Sequence, residues 1–401
     1  MTTDAELIRA AFRRHVCQTS PEPLGIVVAR ASGSKIWDTD GRAYLDLLAG
    51  IGVANVGHTH PEVVAAVTEQ AQAYLHCAVY GEMAQQPQAL LAQRLAEVAP
   101  GDLATVYFTN SGAEAIEGAM KTARKHTGRK RFIAFEGSFH GDTFGAMSVG
   151  GNPLYKDPFE PLLADVEHLP FGDAAALARI DDRVAAVVIE PIQAEGGVRL
   201  PPDGFLAALR QRCTEVGALL VFDEVLTGFG RTGHLFAAQH WGVAPDLLVL
   251  AKALGGGMPL GAFIGTADVM ATLSHDPPLA HVTTFGGHPV SCAAGLAALK
   301  VMLRDDLPAR AARVGDAWRH DLATDVGGVL RAVRGRGLLI GLELETPEAT
   351  RRFAHHCFAN GLILNWTLHR DTVVRLAPPL TIEPAEVEHA TAVLRDGLRR
   401  C

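Results

Sequence analysis

Several short stretches of this sequence place a chemically useful side chain directly after an apolar run. Ser111 and Gly112 lie between one such run and a helix-forming stretch, Asp223 ends a second run, and Lys252 follows a third. A turn before a helix offers free backbone N–H groups to an anion. A carboxylate can pair with a ring nitrogen, and a lysine withdrawn from water loses its proton and becomes a nucleophile. Viewed singly, the same residues are compatible with a helix cap and with ordinary charges at strand ends.

Taken together, these positions indicate a single ligand. A phosphate would occupy the turn at Ser111, a pyridine nitrogen would face Asp223, and an aldehyde would react with Lys252. The sequence therefore predicts a cofactor site in which Lys252 is first a nucleophile and later a base for proton transfer.

Two further patterns are interpreted as structural. Residues 228–233 match G-x-G-x-x-G, but a dinucleotide site needs that pattern at once after a strand and opening a long helix. Here Asp223 already ends the strand, and an aromatic stretch follows the glycines. His58 and His60 have a spacing that metal sites use, but no acidic or cysteine ligands accompany them, and we interpret them as part of a turn. We expect neither a nicotinamide cofactor nor a metal ion.

The elements that position the cofactor site are those of an α/β domain. Short, almost continuous apolar runs alternate with helical patterns, which is typical of strands buried on both faces of a parallel sheet. These runs are residues 105–109, 131–135, 184–190, 218–224 and 247–251. The fold class predicted is α/β, a large domain with a mostly parallel sheet.

The C-terminal part of the sequence has a different pattern, which indicates a smaller α+β domain. The predicted elements there are helices at residues 309–322 and 384–399 and strands at residues 329–333 and 338–345. Residues 35–48 predict a hairpin that joins this domain from the other end of the chain. We therefore expect an N-terminal segment at residues 1–50 that joins the small domain, a large cofactor-binding domain at 51–300 and the small domain at 301–401.

Composition excludes some classes of function. The chain has 401 residues and a formal charge of −8, which argues against nucleic acid as a partner. The 6 cysteines form no C-x-x-C pair, so we expect reduced thiols and a cytoplasmic protein. No apolar stretch is long enough for a signal peptide or a membrane span, so no membrane association is expected.

The sequence resembles the class III, subgroup II aminotransferases, a family that includes acetylornithine, ornithine and 4-aminobutyrate aminotransferases. The resemblance runs from about Gly33 to the C-terminus and rests on motifs that occur in the family's order. These motifs are F-T-N-S-G-A-E-A (108–115), F-H-G (139–141), E-P-I-Q-A-E-G-G (190–197), D-E-V-L-T-G-F-G-R-T-G (223–233), L-A-K-A-L-G-G-G (250–257), T-T-F-G-G-H-P (283–289) and R-L-A-P-P-L (375–380). The resemblance implies the PLP-dependent transferase fold type I, pyridoxal 5'-phosphate as cofactor, and a homodimer with shared active sites.

The resemblance also implies a role for each matching residue at the cofactor. Asp223 would pair with the ring nitrogen, and Lys252 would carry the cofactor as a Schiff base and shuttle the substrate proton; these are the expected catalytic residues. The remaining cofactor contacts would be Ser111, Gly112 and Ala113 at the phosphate, Phe139 and Val225 on the two faces of the ring, and Thr284 at the phosphate of the neighbouring subunit. Phe139 and Val225 are also compatible with plain core positions. His140 either supports Asp223 or is an ordinary interior histidine.

Two residues match a pair that lets one pocket accept two kinds of substrate. By the resemblance, Arg375 grips the α-carboxylate of glutamate, and Glu195 masks that charge when an ω-amine enters. A guanidinium and a carboxylate form a planar, bidentate pair, which suits such selection.

The sequence departs from the ornithine-type pattern at two positions. Leu226 replaces a glutamine that hydrogen-bonds the ring hydroxyl, and Asp142 replaces an arginine that binds the donor's carboxylate. We assign Asp142 to substrate binding, where it would favour a donor with a neutral or cationic group at that point. The alternative is that Asp142 and Thr143 cap a turn.

The function expected from these residues is transamination. The donor would be an ω-amine of the ornithine, lysine or 4-aminobutyrate type, and the acceptor a 2-oxo acid such as 2-oxoglutarate or pyruvate. The alternatives are another reaction on the same fold, namely an aminomutase, racemase or decarboxylase, and a cofactor-free binding protein. Glu195 with Arg375 favours transamination, and an intact Lys252 and Asp223 argue against the cofactor-free alternative.

Overall fold

The computed structural model describes residues 4–79 and 83–401. The strands in chain order are β1 (Val28–Ser32), β2 (Lys35–Asp38), β3 (Ala43–Asp46), β4 (Thr105–Thr109), β5 (Arg131–Phe135), β6 (Val166–Leu169), β7 (Val184–Ile189), β8 (Leu219–Asp223), β9 (Leu247–Leu250), β10 (Gly261–Gly265), β11 (Leu330–Arg336), β12 (Leu339–Leu344), β13 (Leu362–Ile363), β14 (Asn365–Thr367) and β15 (Arg370–Leu376). The α-helices are α1 (Asp4–His15), α2 (Ala49–Gly52), α3 (Pro61–Ala73), α4 (Gln86–Val98), α5 (Gly112–Thr127), α6 (Phe144–Val149), α7 (Pro153–Lys156), α8 (Phe205–Val216), α9 (Ala267–Ala271), α10 (Pro289–Arg304), α11 (Leu307–Ala323), α12 (Pro347–Ala359) and α13 (Pro384–Arg400). Within these described residues, no helix is both long and apolar enough to cross a membrane.

The central sheet has seven strands in the order β4-β10-β9-β8-β7-β5-β6. Only β10 runs against its neighbours, β4 and β9; the other pairings are parallel. All residues of β7, β9 and β10 are buried, because helices cover both faces of the sheet. The predicted α/β fold with a mostly parallel sheet is therefore confirmed, and the strands lie within a residue of the predicted apolar runs.

The register of the sheet brings the predicted site residues to one edge. In the parallel pair β8 and β9, Asp223 lies opposite Val249, so Lys252 follows the neighbouring strand end. Gly261, the first residue of β10, pairs with Thr109, which places the turn at Ser111 at the same edge. A Cβ on Gly261 would lie only 2.2 Å from the Ser111 carbonyl oxygen, so a glycine is required there.

The C-terminal part of the chain forms an antiparallel sheet in the order β11-β12-β15-β14, with α12 packed against β12 and β15. A further sheet, β1-β2-β3-β13, combines both ends of the chain, because β3 pairs in parallel with β13. The predicted hairpin of residues 35–48 is thus present as β2 and β3, and it contacts a strand from the C-terminal part. The division at residues 50 and 300 stays a prediction.

The residues that were interpreted as structural make structural contacts. His58 Nε2 lies 2.8 Å from Asp46 Oδ2, and His60 accepts the N–H of Glu62 as the N-cap of α3. Arg231, inside the glycine-rich stretch 228–233, is fully buried.

Arg231 links three separate parts of the chain. Its guanidinium donates hydrogen bonds to the carbonyls of Leu338 and Pro378 and to Asn55 Oδ1. These partners lie beside β12, after β15 and after α2, so one side chain satisfies buried oxygens of both terminal parts of the chain. Because buried carbonyls without a donor are costly, Arg231 is a major determinant of stability.

We predict that Arg231→Ala lowers the free energy of unfolding by on the order of 3 kcal/mol, since it leaves three buried oxygens without a donor. Chemical denaturation with an unchanged m-value measures this loss. The control is Arg331→Ala, which removes an exposed pair with Glu345 and is expected to change stability little. Equal stability of the two variants would contradict the proposed role of Arg231.

Candidate active site

A cavity of about 410 Å³ lies at the edge of the central sheet where the predicted site residues meet. Its wall includes residues from several strand ends and the loops that follow them. The predicted residues that line it are Ser111, Gly112, Ala113, Phe139, His140, Glu195, Asp223, Val225, Leu226 and Lys252. The structure therefore brings together residues that are far apart in the sequence, from Ser111 to Lys252.

The anion end of the cavity is the start of α5. Ser111 is the N-cap of this 16-residue helix, and its hydroxyl accepts the N–H of Glu114. Ser111 thus caps the helix and also lines the cavity. Its interpretation as a helix cap and its interpretation as part of an anion site do not exclude each other. The glycine at position 112 lets Val225 pack close to the turn, because a Cβ there would lie 3.0 Å from a Val225 methyl carbon. The free N–H groups of the first helical turn and the helix dipole favour an anion at this point.

Asp223 is fixed in one orientation by hydrogen bonds to both carboxylate oxygens. His140 Nδ1 lies 2.7 Å from Asp223 Oδ2, and the N–H of Val225 donates to Asp223 Oδ1 at 3.0 Å. Both Asp223 and His140 are buried, at 5% and 3% exposure. Of the two interpretations of His140, the contact with Asp223 favours support of that carboxylate. His140 Nε2 is buried and has no hydrogen-bond partner in the described part of the chain.

Lys252 lies just beyond the end of β9 with a backbone φ of 50°, a conformation that is strained for a residue with a side chain. Within residues 4–79 and 83–401 the structure shows no hydrogen bond or ion pair of its amine. Burial and the nearby charge of Arg375 lower the pKa of Lys252, although Glu195 and Asp223 act in the opposite direction. The amine is therefore disposed to lose its proton, as the sequence suggested.

Glu195 and Arg375 form a buried ion pair at the wall of the cavity. Arg375 Nη1 donates to Glu195 Oε1, and the N–H of Leu368 donates to Glu195 Oε2 at 2.8 Å. Burial raises the pKa of Glu195, but the contacts with Arg375 and Leu368 more than offset this, so the pKa is lowered overall. Arg375 is only 2% exposed and does not line the cavity, whereas its partner Glu195 does.

Besides Arg375, two predicted site residues lie outside the cavity of their own chain. Thr284 is exposed, and its predicted contact is with a neighbouring subunit. Asp142 is also exposed and does not line the cavity. The group that caps the start of α6 is Glu117, whose Oε1 accepts from the N–H of Gly145 at 2.9 Å and from the Thr143 hydroxyl at 2.7 Å. The structure thus places Asp142 neither in the cavity nor at the cap.

Glu190, which was not predicted as a site residue, lines the cavity and is 6% exposed. Its Oε1 accepts the N–H of Phe139 at 2.9 Å, and its Oε2 accepts the N–H of Ala194 at 3.0 Å. One carboxyl group thereby connects the segment of Phe139 with the segment of Glu195. Glu190 directly follows β7, so the rule that pointed to Asp223, an acid at the end of an apolar run, could have found it.

Leu226 lines the cavity and packs in a small apolar cluster with Ile192, Ala194 and Leu339. Where the ornithine-type pattern has a hydrogen-bonding glutamine, this chain has an apolar wall.

Glu224, the neighbour of Asp223, points away from the cavity. Its carboxyl group accepts from the N–H groups of Ala237 and Ala238 and from the Thr227 hydroxyl, and so caps a short 3₁₀ helix. Burial raises the pKa of Glu224 to about 7. Adjacent carboxylates in one motif thus have different partners: Asp223, the last residue of β8, faces the cavity, and Glu224, the residue after it, does not.

We predict that Glu224 makes stability fall as the pH rises. The folded chain holds its proton more tightly than the unfolded chain, whose ordinary value is 4.5, so stability present below that pH is lost as the pH rises towards 7. The difference in unfolding free energy between wild type and Glu224→Gln should decrease by about 2–3 kcal/mol from about pH 5 to about pH 8. Denaturant unfolding at both pH values measures it. A difference independent of pH would show that Glu224 has the same charge throughout.

The family described as Aminotransferase class-III matches residues 16–398 of the chain. An acetylornithine aminotransferase of Methanopyrus kandleri is 46% identical over 377 residues, which cover 93% of this chain and 94% of the relative. A putrescine aminotransferase of Pectobacterium atrosepticum is 43% identical, with 97% of this chain and 85% of the relative covered.

Solved structures agree with these sequence relatives. The ornithine aminotransferase of Toxoplasma gondii ME49 superimposes with a TM-score of 0.93 at 33% identity, over 99% of this chain and 96% of the other. An amine transaminase from an uncultivated Pseudomonas species in its PLP-bound form gives a TM-score of 0.88 at 30% identity, over 97% and 98% of the two chains.

Proposed function

Because the chain belongs to the class-III aminotransferases, which use pyridoxal 5'-phosphate, we propose that it moves the terminal amino group of an ω-amine donor to a 2-oxo acid such as 2-oxoglutarate or pyruvate. One observation carries the proposal. Lys252, whose amine has no partner among the described residues, shares its cavity with the fixed carboxylate of Asp223 and with Glu195, which is paired with Arg375. Two relatives are named for acetylornithine and putrescine, molecules that carry a terminal amine.

The residues around the cavity fit the cofactor. The start of α5 at Ser111 suits a phosphate, the Asp223 carboxylate suits a protonated ring nitrogen, and the Lys252 amine has no competing partner in the described residues. When bound, pyridoxal phosphate supplies an electron sink that makes the C–H next to the transferred amine acidic.

The chain's own groups then hold and move protons. Lys252 Nζ, with its lowered pKa, would hold the cofactor covalently and, once released from it, would take up and return the substrate proton. Asp223, held by His140, would keep a proton on the ring nitrogen. Phe139 and Val225 line the cavity from different segments and would confine the ring between them.

Arg375 and Glu195 would let the cavity serve both half-reactions. The planar guanidinium of Arg375 suits the carboxylate of a 2-oxo acid, and Glu195 neutralises it while an ω-amine is bound. Apart from Lys252, no lysine or arginine is found among the described residues that line the cavity. The cavity of this chain therefore favours donors without a second carboxylate, such as diamines.

The assembly proposed is a homodimer in which Thr284 reaches the phosphate of the neighbouring subunit. Thr284 is exposed and outside its own cavity, as that arrangement requires. The cysteines of the chain are all unpaired thiols, which suits the reducing cytoplasm expected from the sequence.

We predict that the purified protein transaminates ω-amine donors with 2-oxoglutarate or pyruvate, and that borohydride fixes the cofactor to Lys252. A donor panel of putrescine, lysine, ornithine, N-acetylornithine and 4-aminobutyrate, followed by product aldehyde, identifies the substrate. Lys252→Ala is expected to lose activity and label together. Conversion of an amine without any acceptor would indicate a mutase, racemase or decarboxylase instead. A label on another lysine would contradict the assignment of Lys252.

We predict that Arg375→Ala harms the 2-oxoglutarate half-reaction more than the ω-amine half-reaction. A lost charge-assisted pair is worth about 1.5–3 kcal/mol, which corresponds to roughly 10- to 150-fold in kcat/KM. Single-turnover kinetics of the two half-reactions measure the split, with Arg331→Ala as the exposed control. Equal losses in both would mean that Arg375 is structural.

A further inference from the structure

The turn between β14 and β15 lies directly on Glu195. This turn consists of Leu368 and His369, and both of its backbone N–H groups donate to Glu195. The N–H of Leu368 donates to Glu195 Oε2 at 2.8 Å, and the N–H of His369 donates to the Glu195 carbonyl at 3.0 Å. The carboxylate of Glu195 therefore has a partner at each oxygen, Arg375 at one and a backbone amide at the other.

The same turn is held from its other side by Tyr155 of α7. The Tyr155 hydroxyl donates to the Leu368 carbonyl at 2.8 Å, and its ring stacks on the His369 ring with centroids 5.2 Å apart. His369 Nδ1 also lies 3.2 Å from the Gly137 carbonyl. Burial, together with the charges of Asp371 and Glu195, raises the pKa of Tyr155, so its hydroxyl keeps the proton that it donates.

These contacts form a continuous chain of hydrogen bonds. The peptide group between Leu368 and His369 accepts from Tyr155 through its carbonyl and donates to the backbone carbonyl of Glu195 through the His369 N–H. The Glu195 carboxylate accepts from the N–H on the other side of Leu368, in the same turn. Linked hydrogen bonds polarise and strengthen one another. Tyr155 therefore fixes the position of the turn, and the turn fixes the Glu195 side chain in the place where it meets Arg375.

A substrate carboxylate reaches Arg375 only if Glu195 leaves it. In leaving, the Glu195 carboxylate breaks two contacts, the pair with Arg375 and the hydrogen bond from Leu368. We call the state in which Glu195 pairs with Arg375 the masked state. Any group that holds the turn in place stabilises the masked state and disfavours binding of the carboxylate-bearing substrate. This substrate must supply the free energy that separates the masked state from the state in which Arg375 is free.

We propose that Tyr155 is a positioning residue that sets the balance between the two substrates by holding the Leu368–His369 turn against Glu195. The inference rests on the proposed function, in which Glu195 and Arg375 select between a carboxylate and an ω-amine. It adds a residue on α7, outside the cavity lining, that tunes this selection.

The test is Tyr155→Phe, which keeps the ring that stacks on His369 and removes only the hydroxyl. We expect the holoenzyme variant to bind glutarate, an unreactive dicarboxylate, roughly three- to tenfold more tightly by calorimetry, because one hydrogen bond of the masked state is weakened. KM for 2-oxoglutarate should fall by a similar factor, while KM for the ω-amine donor stays the same or rises.

The control is Tyr44→Phe, which removes a hydroxyl that lies 3.2 Å from Asp38 in the β2–β3 hairpin. It should change neither the glutarate affinity nor the KM of either substrate. Weaker binding of both substrates by Tyr155→Phe, or unchanged glutarate affinity, would overturn the inference. If Arg375→Ala still abolishes glutarate binding in that case, the switch itself stands and only the role of Tyr155 fails. A wild type that neither binds glutarate nor transaminates would overturn both proposals.

Discussion

The burial of ionisable groups at the carboxyl ends of β7, β8 and β9 is the constraint on which the rest of the site depends. A charge removed from water is tolerated only where hydrogen bonds or an opposite charge compensate it. Asp223 has His140 and the amide of Val225, and Glu190 has the amides of Phe139 and Ala194. The loops around the cavity are folded so as to supply these donors.

Lys252 is the ionisable group at these strand ends that lacks such compensation within the described residues, and this explains why its amine can react. It is half-buried, has no partner in the described residues, and has a strained backbone conformation, so its neutral form is favoured and its amine is available. Functional sites are where such unfavourable features persist, because the surrounding structure enforces them. Here the enforcement comes from the buried strand β9 before Lys252 and the glycines after it.

The substrate side of the site depends on contacts between distant parts of the chain. Arg375 and the Leu368–His369 turn come from the C-terminal sheet, whereas Glu195 and Tyr155 come from segments around the central sheet. Arg231 connects the same parts through buried carbonyls. The proposed selection between substrates would therefore depend on how the C-terminal sheet packs on the rest of the chain, and on a single hydrogen bond at the turn.

The central sheet and the groups at its strand ends could be predicted from the amino-acid sequence, because a strand buried on both faces must be apolar and a charge at its end is conspicuous. Asp223, Lys252 and the turn at Ser111 were predicted in this way, and the family motifs added the pair of Glu195 and Arg375. Folding decided the rest: it placed Asp142 and Thr284 outside the cavity of their own chain, gave Glu190 its two backbone amides and put Tyr155 against the Leu368–His369 turn. These contacts join residues far apart in sequence or backbone groups common to every residue, so no local pattern can carry them.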